Sequence, residues 1–111
     1  MKINNHETFI LLESEQDELK DFISEIENKA TSEFQENNIV IDLLPNKSIT
    51  INDLLLFQNL SESHKETNHS FVIINDAIDP DELPEELIVV PTLQEAEDMI
   101  EMEAIERELG F

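Results

Sequence analysis

Residues 38–57 read NIVIDLLPNKSITINDLLLF: an apolar run, a polar turn, then a second apolar run with a different period. In residues 39–44, β-branched and leucine side chains follow one another with Asp42 as the single acid, the pattern of a strand covered on both faces of a sheet. This is the expected central strand. The loop after it is polar. Asn52 is placed to cap a helix opening at Asp53, its side-chain oxygen taking an orphan backbone N–H for about 1 kcal/mol. Strand, loop and helix in this order put the loop at the carboxyl end of a strand, where open α/β sheets tend to place their sites.

Upstream, residues 1–4 and 8–12 read as two short strands joined by a turn at Asn5 and His6. Ser14, with Asp17 three residues on, approximates a capping box. Leu19, Phe22, Ile23, Ile26, Ala30 and Phe34 follow at helical spacing, predicting a helix with one apolar face. Downstream, a helix from residue 53 to about residue 65 carries Leu56, Phe57, Leu60 and His64 on one stripe, widened by Leu54 and Leu55. Residues 70–75, SFVIIN, form a second buried strand, separated from the first by enough chain for the crossover that parallel neighbours require. Pro80 and Pro84 confine residues 76–86 to a loop with one helical turn, and LIVV closes the sheet. Thr92 and Glu95 form a capping box for a last helix ending near Gly110.

The whole is an α/β single domain, residues 1–111, with a mixed four- to five-stranded sheet and helices packed mainly on one face; residues 101–111 are a candidate protruding helical extension. No cysteine is present, which removes disulfide frameworks and thiolate metal sites and fits a reducing cytoplasm. The N-terminal apolar run is too short for a signal peptide, and no stretch approaches the roughly eighteen apolar residues of a membrane span. A soluble, cytoplasmic protein is expected. With 27 acids against six Lys and Arg, the net charge of −21 repels phosphate backbones and argues against direct nucleic-acid binding. A single glycine, Gly110, excludes GxGxxG and Walker phosphate loops.

The order of elements, with NIVIDLL, SFVIIN and LIVVPTLQEAEDMI at its core, resembles the STAS domain, the fold of bacterial anti-sigma-factor antagonists. With ITINDL and the tail PTLQEAEDMIEMEAIERELGF, the chain is similar to short bacterial STAS-like proteins often labelled ribonuclease Z. The resemblance implies a non-catalytic, regulatory protein-interaction module. The label implies the alternative of a nuclease, or an accessory subunit of ribonuclease Z. That family holds two zinc ions with an HxHxDH cluster and is far longer, whereas this chain has only His6, His64 and His69, none at that spacing. The chain is therefore read as not an enzyme, with no catalytic residues, no metal site and no cofactor.

The STAS phospho-switch is an Asp-Ser-Ser-Gly motif at the start of the helix after the central strand. Thr50, Ile51, Asn52 and Asp53 fall at those positions, so the resemblance places Ile51 at the phosphoacceptor and implies that the switch is lost. Ser48 and Thr50 remain as hydroxyls in the same loop, where a helix dipole would stabilise a phosphate, but Thr50 is more simply a loop or capping hydroxyl. Lys47, Ser48, Thr50, Asn52 and Asp53 are the candidate partner-binding loop and helix.

A second candidate is the stripe Met102, Ile105, Leu109 and Phe111, set among Glu101, Glu103, Glu106 and Glu108. Its apolar side chains pack on their own domain, on a second copy as a homodimer, or in the groove of another protein. An acidic polar face argues against a membrane surface. The acids Asp79, Asp81, Glu82, Glu85 and Glu86 lack the glycine and alternation of an EF-hand and read as a solvated loop. His64 reads as a packing histidine, His69 as a residue before a strand and His6 as a turn residue.

Overall fold

The central strand is covered on both faces. In the computed structural model, which describes residues 1–15, 18–30 and 32–110, Ile39, Val40 and Ile41 are all fully buried in β3 (Ile39–Asp42). The sheet has the order β1-β2-β3-β4-β5, with β1 (Lys2–Asn5) antiparallel to β2 (Ile10–Glu13). From β2 onward all neighbours are parallel, through β4 (Phe71–Ile74) to β5 (Ile88–Val90). The edges are short: β1 carries Lys2, in an ion pair with Glu13, and β5 stops before Pro91, devices that discourage edge-to-edge association.

Side chains alternate between two cores, as the two-residue period of a strand requires. Ile10, Leu12, Ile39, Ile41, Phe71, Ile73 and Val89 face one layer; Leu11, Val40, Val72 and Ile74 face the other. The first layer is built by α1 (Leu19–Ala30), α2 (Ile51–Leu55) and α3 (Gln58–Lys65), together with Leu83 and Leu87 around a 3-10 turn at Pro80–Glu82. The second is covered by α4 (Leu93–Glu108), through Ala96 and Ile100. The expected α/β architecture, mixed sheet and helices mainly on one face are what the chain adopts. The Cα radius of gyration, 13.1 Å, matches the ~13 Å of a compact chain of about a hundred residues.

Three local expectations are corrected. α1 ends at Ala30, so Phe34 enters the core from the following turn rather than from the helix. The N–H groups of Ser32, Glu33 and Phe34 all converge on the Lys29 carbonyl, which closes the helical ladder there. The partner of Ser14 in the expected capping box, Asp17, lies outside the described residues. The helix expected from residue 53 to about 65 is two helices. Leu56 and Phe57 donate to carbonyls three residues back, Asp53 and Leu54, a tighter 3-10 pitch. That pitch aligns Leu54, Phe57 and Leu60 at intervals of three, all buried, and turns Leu56 outward at 46% exposure. Finally, Asn52 does not cap α2; Thr50 does.

Candidate functional site

The loop between β3 and α2 is braced at each end. Thr50 has extended backbone angles, its hydroxyl accepts the Asp53 N–H at 3.2 Å, and the Asp53 carboxylate accepts the Thr50 N–H at 3.0 Å. This reciprocal box needs a hydroxyl at the cap and a carboxylate three residues on, which Thr50 and Asp53 supply; Asn52 already lies inside the helix. Thr50→Ala is therefore expected to lower the unfolding free energy by about 1 kcal/mol, read from the urea midpoint, whereas Asn52→Ala should change it by only a few tenths. Asp42 accepts the Leu44 N–H and Asn46 accepts the Ser48 N–H, each forming a small side-chain turn.

Asn75, which sequence reasoning missed, fastens this loop to the end of β4. It is buried, and its amide donates to the carbonyls of Leu43 (2.9 Å) and Asn46 (3.2 Å) while its oxygen accepts the Ala77 N–H (2.9 Å). Next to it, Lys47 pairs with Asp76 at 2.8 Å, and the ammonium holds the Asp76 carboxyl below its ordinary value. Both groups are exposed, so the pair positions the loop more than it stabilises the fold. Of the candidate loop residues, Thr50 and Asp53 are committed to each other and Lys47 to Asp76. Ser48 and Asn52 are exposed.

The fold offers no switch-point crevice here. The β2–β3, β3–β4 and β4–β5 connections all pack on the same face and the strand order never reverses, so the geometry that opens a ligand cleft in doubly wound sheets is not built. What remains at the carboxyl ends of β2 and β3 is a shallow depression of about 350 Å³ with Glu13 and Asp42 on its wall. Each is already engaged, Glu13 by Lys2 and Asp42 by the Leu44 N–H.

The second candidate lies on α4. Met102, Ile105 and Leu109 are 50%, 56% and 65% exposed; Phe111 lies outside the described residues. Their side of the helix faces away from the sheet, and beyond Ile100 none of the described residues is buried: Ala104, four residues on from Ile100 and on the same side, is exposed. At 3.6 residues per turn, Met102 stands about 160° around the axis from the buried Ile100. The Arg107 side chain, on the sheet side, still reaches the Ser70 hydroxyl at 3.5 Å. α4 thus carries two apolar strips, one on the sheet and one facing solvent.

The histidines have packing and hydrogen-bonding partners. His6 stacks on Phe9 with ring centroids 4.5 Å apart. The Thr67 hydroxyl donates to the His64 carbonyl, so its oxygen is left to accept from Nδ1 of His69, which lies 3.1 Å from the Thr67 hydroxyl oxygen. Nε2 of His64 lies 2.6 Å from the Asn37 carbonyl, which only accepts, so that nitrogen donates and is not available as a base. Burial pushes the His64 pKa below 6.5, the Asn37 bond opposes this, and nearby His69 adds to it. The unfolded chain therefore takes up a proton that the native state resists. The contribution of this group is intact above about pH 6.5 and declines as pH falls below it. Comparing urea midpoints of wild type and His64→Gln from about pH 8 to pH 5 should show a steeper acid-side loss in the wild type.

Among the described residues no group of three or more His, Asp or Glu side chains is placed to hold a metal ion, and Asp79 instead caps the 3-10 turn by accepting the Asp81 N–H. No helix among them is long and apolar enough to cross a membrane. No protein-family model matches the chain, and no curated protein matches it.

Proposed function

We propose that this chain is a non-catalytic, STAS-like protein-interaction module of the cytoplasm that contacts its partner constitutively rather than through a phospho-switch. The observation that carries this reading is the outward strip of Met102, Ile105 and Leu109 on a helix seated on the sheet through Ala96 and Ile100, apolar surface whose natural use is contact with another protein. The position corresponding to the phosphoacceptor supports it: Ile51 is partly buried and packs against the core. The neighbouring Ser48 and Asn52 stay open to solvent beside a braced loop, which suits a preformed contact surface.

The test is cross-linking and affinity capture of the tagged full chain in its native cells, with wild type beside a Met102→Ser/Ile105→Ser variant and an Asn52→Arg variant. The reading expects a protein captured by wild type and lost with one of the variants. Identical captures from all three, or turnover of precursor tRNA by the purified chain that His64→Ala abolishes, would overturn it.

A further inference from the structure

The chemistry around the outward strip of α4 specifies what it takes. Met102, Ile105 and Leu109 fall at i, i+3 and i+7, one side of a helix. Along that side stand the exposed carboxylates of Glu95, Asp98, Glu101 and Glu106. The helix has one cation, Arg107, and it is turned away toward Ser70. Beside Ile105 the surface falls into a groove of about 490 Å³ between α4 and the starts of β2 and β3, walled by Ile100, Ala104, Thr8 and Asn38. The surface is therefore an apolar strip and an adjoining mostly apolar groove, with a rim of one sign.

Resting on the interaction-module reading, we propose that this side of α4 docks a basic amphipathic helix from a partner protein, its apolar side chains along Met102, Ile105 and the groove and its Lys or Arg side chains on the carboxylate rim. Charge complementarity selects this occupant. A second copy would set carboxylate rim against carboxylate rim, with a further net −21 behind it, a like-charge juxtaposition that costs several kcal/mol at an interface. An anionic membrane surface meets the same repulsion. A basic helix neutralises the rim, and its long aliphatic stems extend the apolar contact.

The experiment uses the full chain and a synthetic helical peptide with leucine at every third or fourth position and lysine elsewhere, a scrambled peptide of the same composition and a leucine–glutamate counterpart. Binding is followed by methyl NMR and calorimetry at about 50 and 300 mM salt. The expected result is saturable binding of the leucine–lysine helix alone. Shifts should concentrate on the Met102 and Ile105 methyls, with weaker binding at the higher salt. Met102→Ser/Ile105→Ser, which keeps every charge, and Glu101→Gln/Glu106→Gln, which keeps the strip, should each weaken it about tenfold.

Equal binding of the scrambled peptide, or shifts spread over the whole acidic surface, would mean charge attraction without a site and would overturn the proposal. So would concentration-dependent dimerisation in sedimentation that Met102→Ser/Ile105→Ser removes, which would make a second copy the occupant. That last result leaves the interaction-module reading standing. A peptide result as expected, with no variant-sensitive capture in cells, would sink the module reading and leave the binding chemistry intact.

Discussion

Phe57→Ala is expected to lower the unfolding free energy by about 3–5 kcal/mol, while Leu56→Ala one residue earlier should cost less than about 1 kcal/mol. Phe57 is fully buried at the joint between α2 and α3, where the tighter 3-10 pitch turns its ring into the core formed with Leu54, Leu60 and the sheet. Removing the ring leaves a cavity between two short helices, neither long enough to persist without its packing, so the loss includes cavity and transfer costs. Leu56 is 46% exposed and gives up little. A continuous helix would give another answer, because Leu56 and Leu60, four residues apart, would then share the buried stripe. Urea denaturation of the two variants decides it: comparable losses at both positions would show that the break does not exist.

The sheet was legible because its information is local. Residues 39–42 and 71–74 are apolar runs of strand length, and burial on both faces demands just that composition. α4 was plain at its ends, where Thr92 accepts the Glu95 N–H and Gly110 takes a positive φ of 81° after the helix. The Glu95 carboxylate, however, accepts from the Thr92 hydroxyl and not from the backbone N–H that a full capping box requires. The break at Leu56 and Phe57 was not legible. Leu54, Phe57 and Leu60 satisfy a three-residue spacing and Leu56 and Leu60 a four-residue one, and the choice is made by which fits the sheet beneath.

The candidate surfaces divide along the same line. Thr50 and Asp53 carry the reciprocal capping signal in adjacent sequence, but Asn52 is as good a cap in isolation, and only the backbone angles decide between them. On α4 the apolar residues read as one stripe continuing along the helix. Two strips on opposite sides emerge only when the sheet fixes Ala96 and Ile100 as the inner side. Asn75 was invisible for a different reason: it reads as the last residue of the strand 70–75, whereas β4 ends at Ile74, and its partners Leu43 and Asn46 lie 32 and 29 residues earlier in the chain. Distant polar pairings of this kind leave no periodicity to detect.

That pairing makes Asn75 the polar residue whose loss should be felt most. Asn75→Ala removes the amide that serves two carbonyls and the oxygen that accepts the Ala77 N–H. Each group left buried without a partner costs about 1–3 kcal/mol, so a total loss of roughly 2–4 kcal/mol is expected, with water reaching the more exposed Asn46 end. The loop consequence is separate and measurable: amide hydrogen exchange over residues 43–50 should accelerate by more than the drop in global stability explains, because Asn75 alone ties Leu43 and Asn46 to β4 by side-chain hydrogen bonds among the described residues. Asn75→Asp sharpens the point. It keeps shape and the Ala77 acceptor but sets a carboxylate against two carbonyl oxygens, so at neutral pH it should be at least as damaging as alanine. Burial and those carbonyls raise the folded-state pKa of the new acid above its unfolded value. Its penalty should therefore shrink as pH falls and the protonated acid regains one donor. If Asn75→Asp matched wild type at neutral pH, or failed to recover on acidification relative to Asn75→Ala, the amide would not be donating to these carbonyls, and the loop would owe its position to the capping box, the Lys47–Asp76 pair, the Leu43 N–H bond to the Ile74 carbonyl and the burial of Leu43 and Ile49.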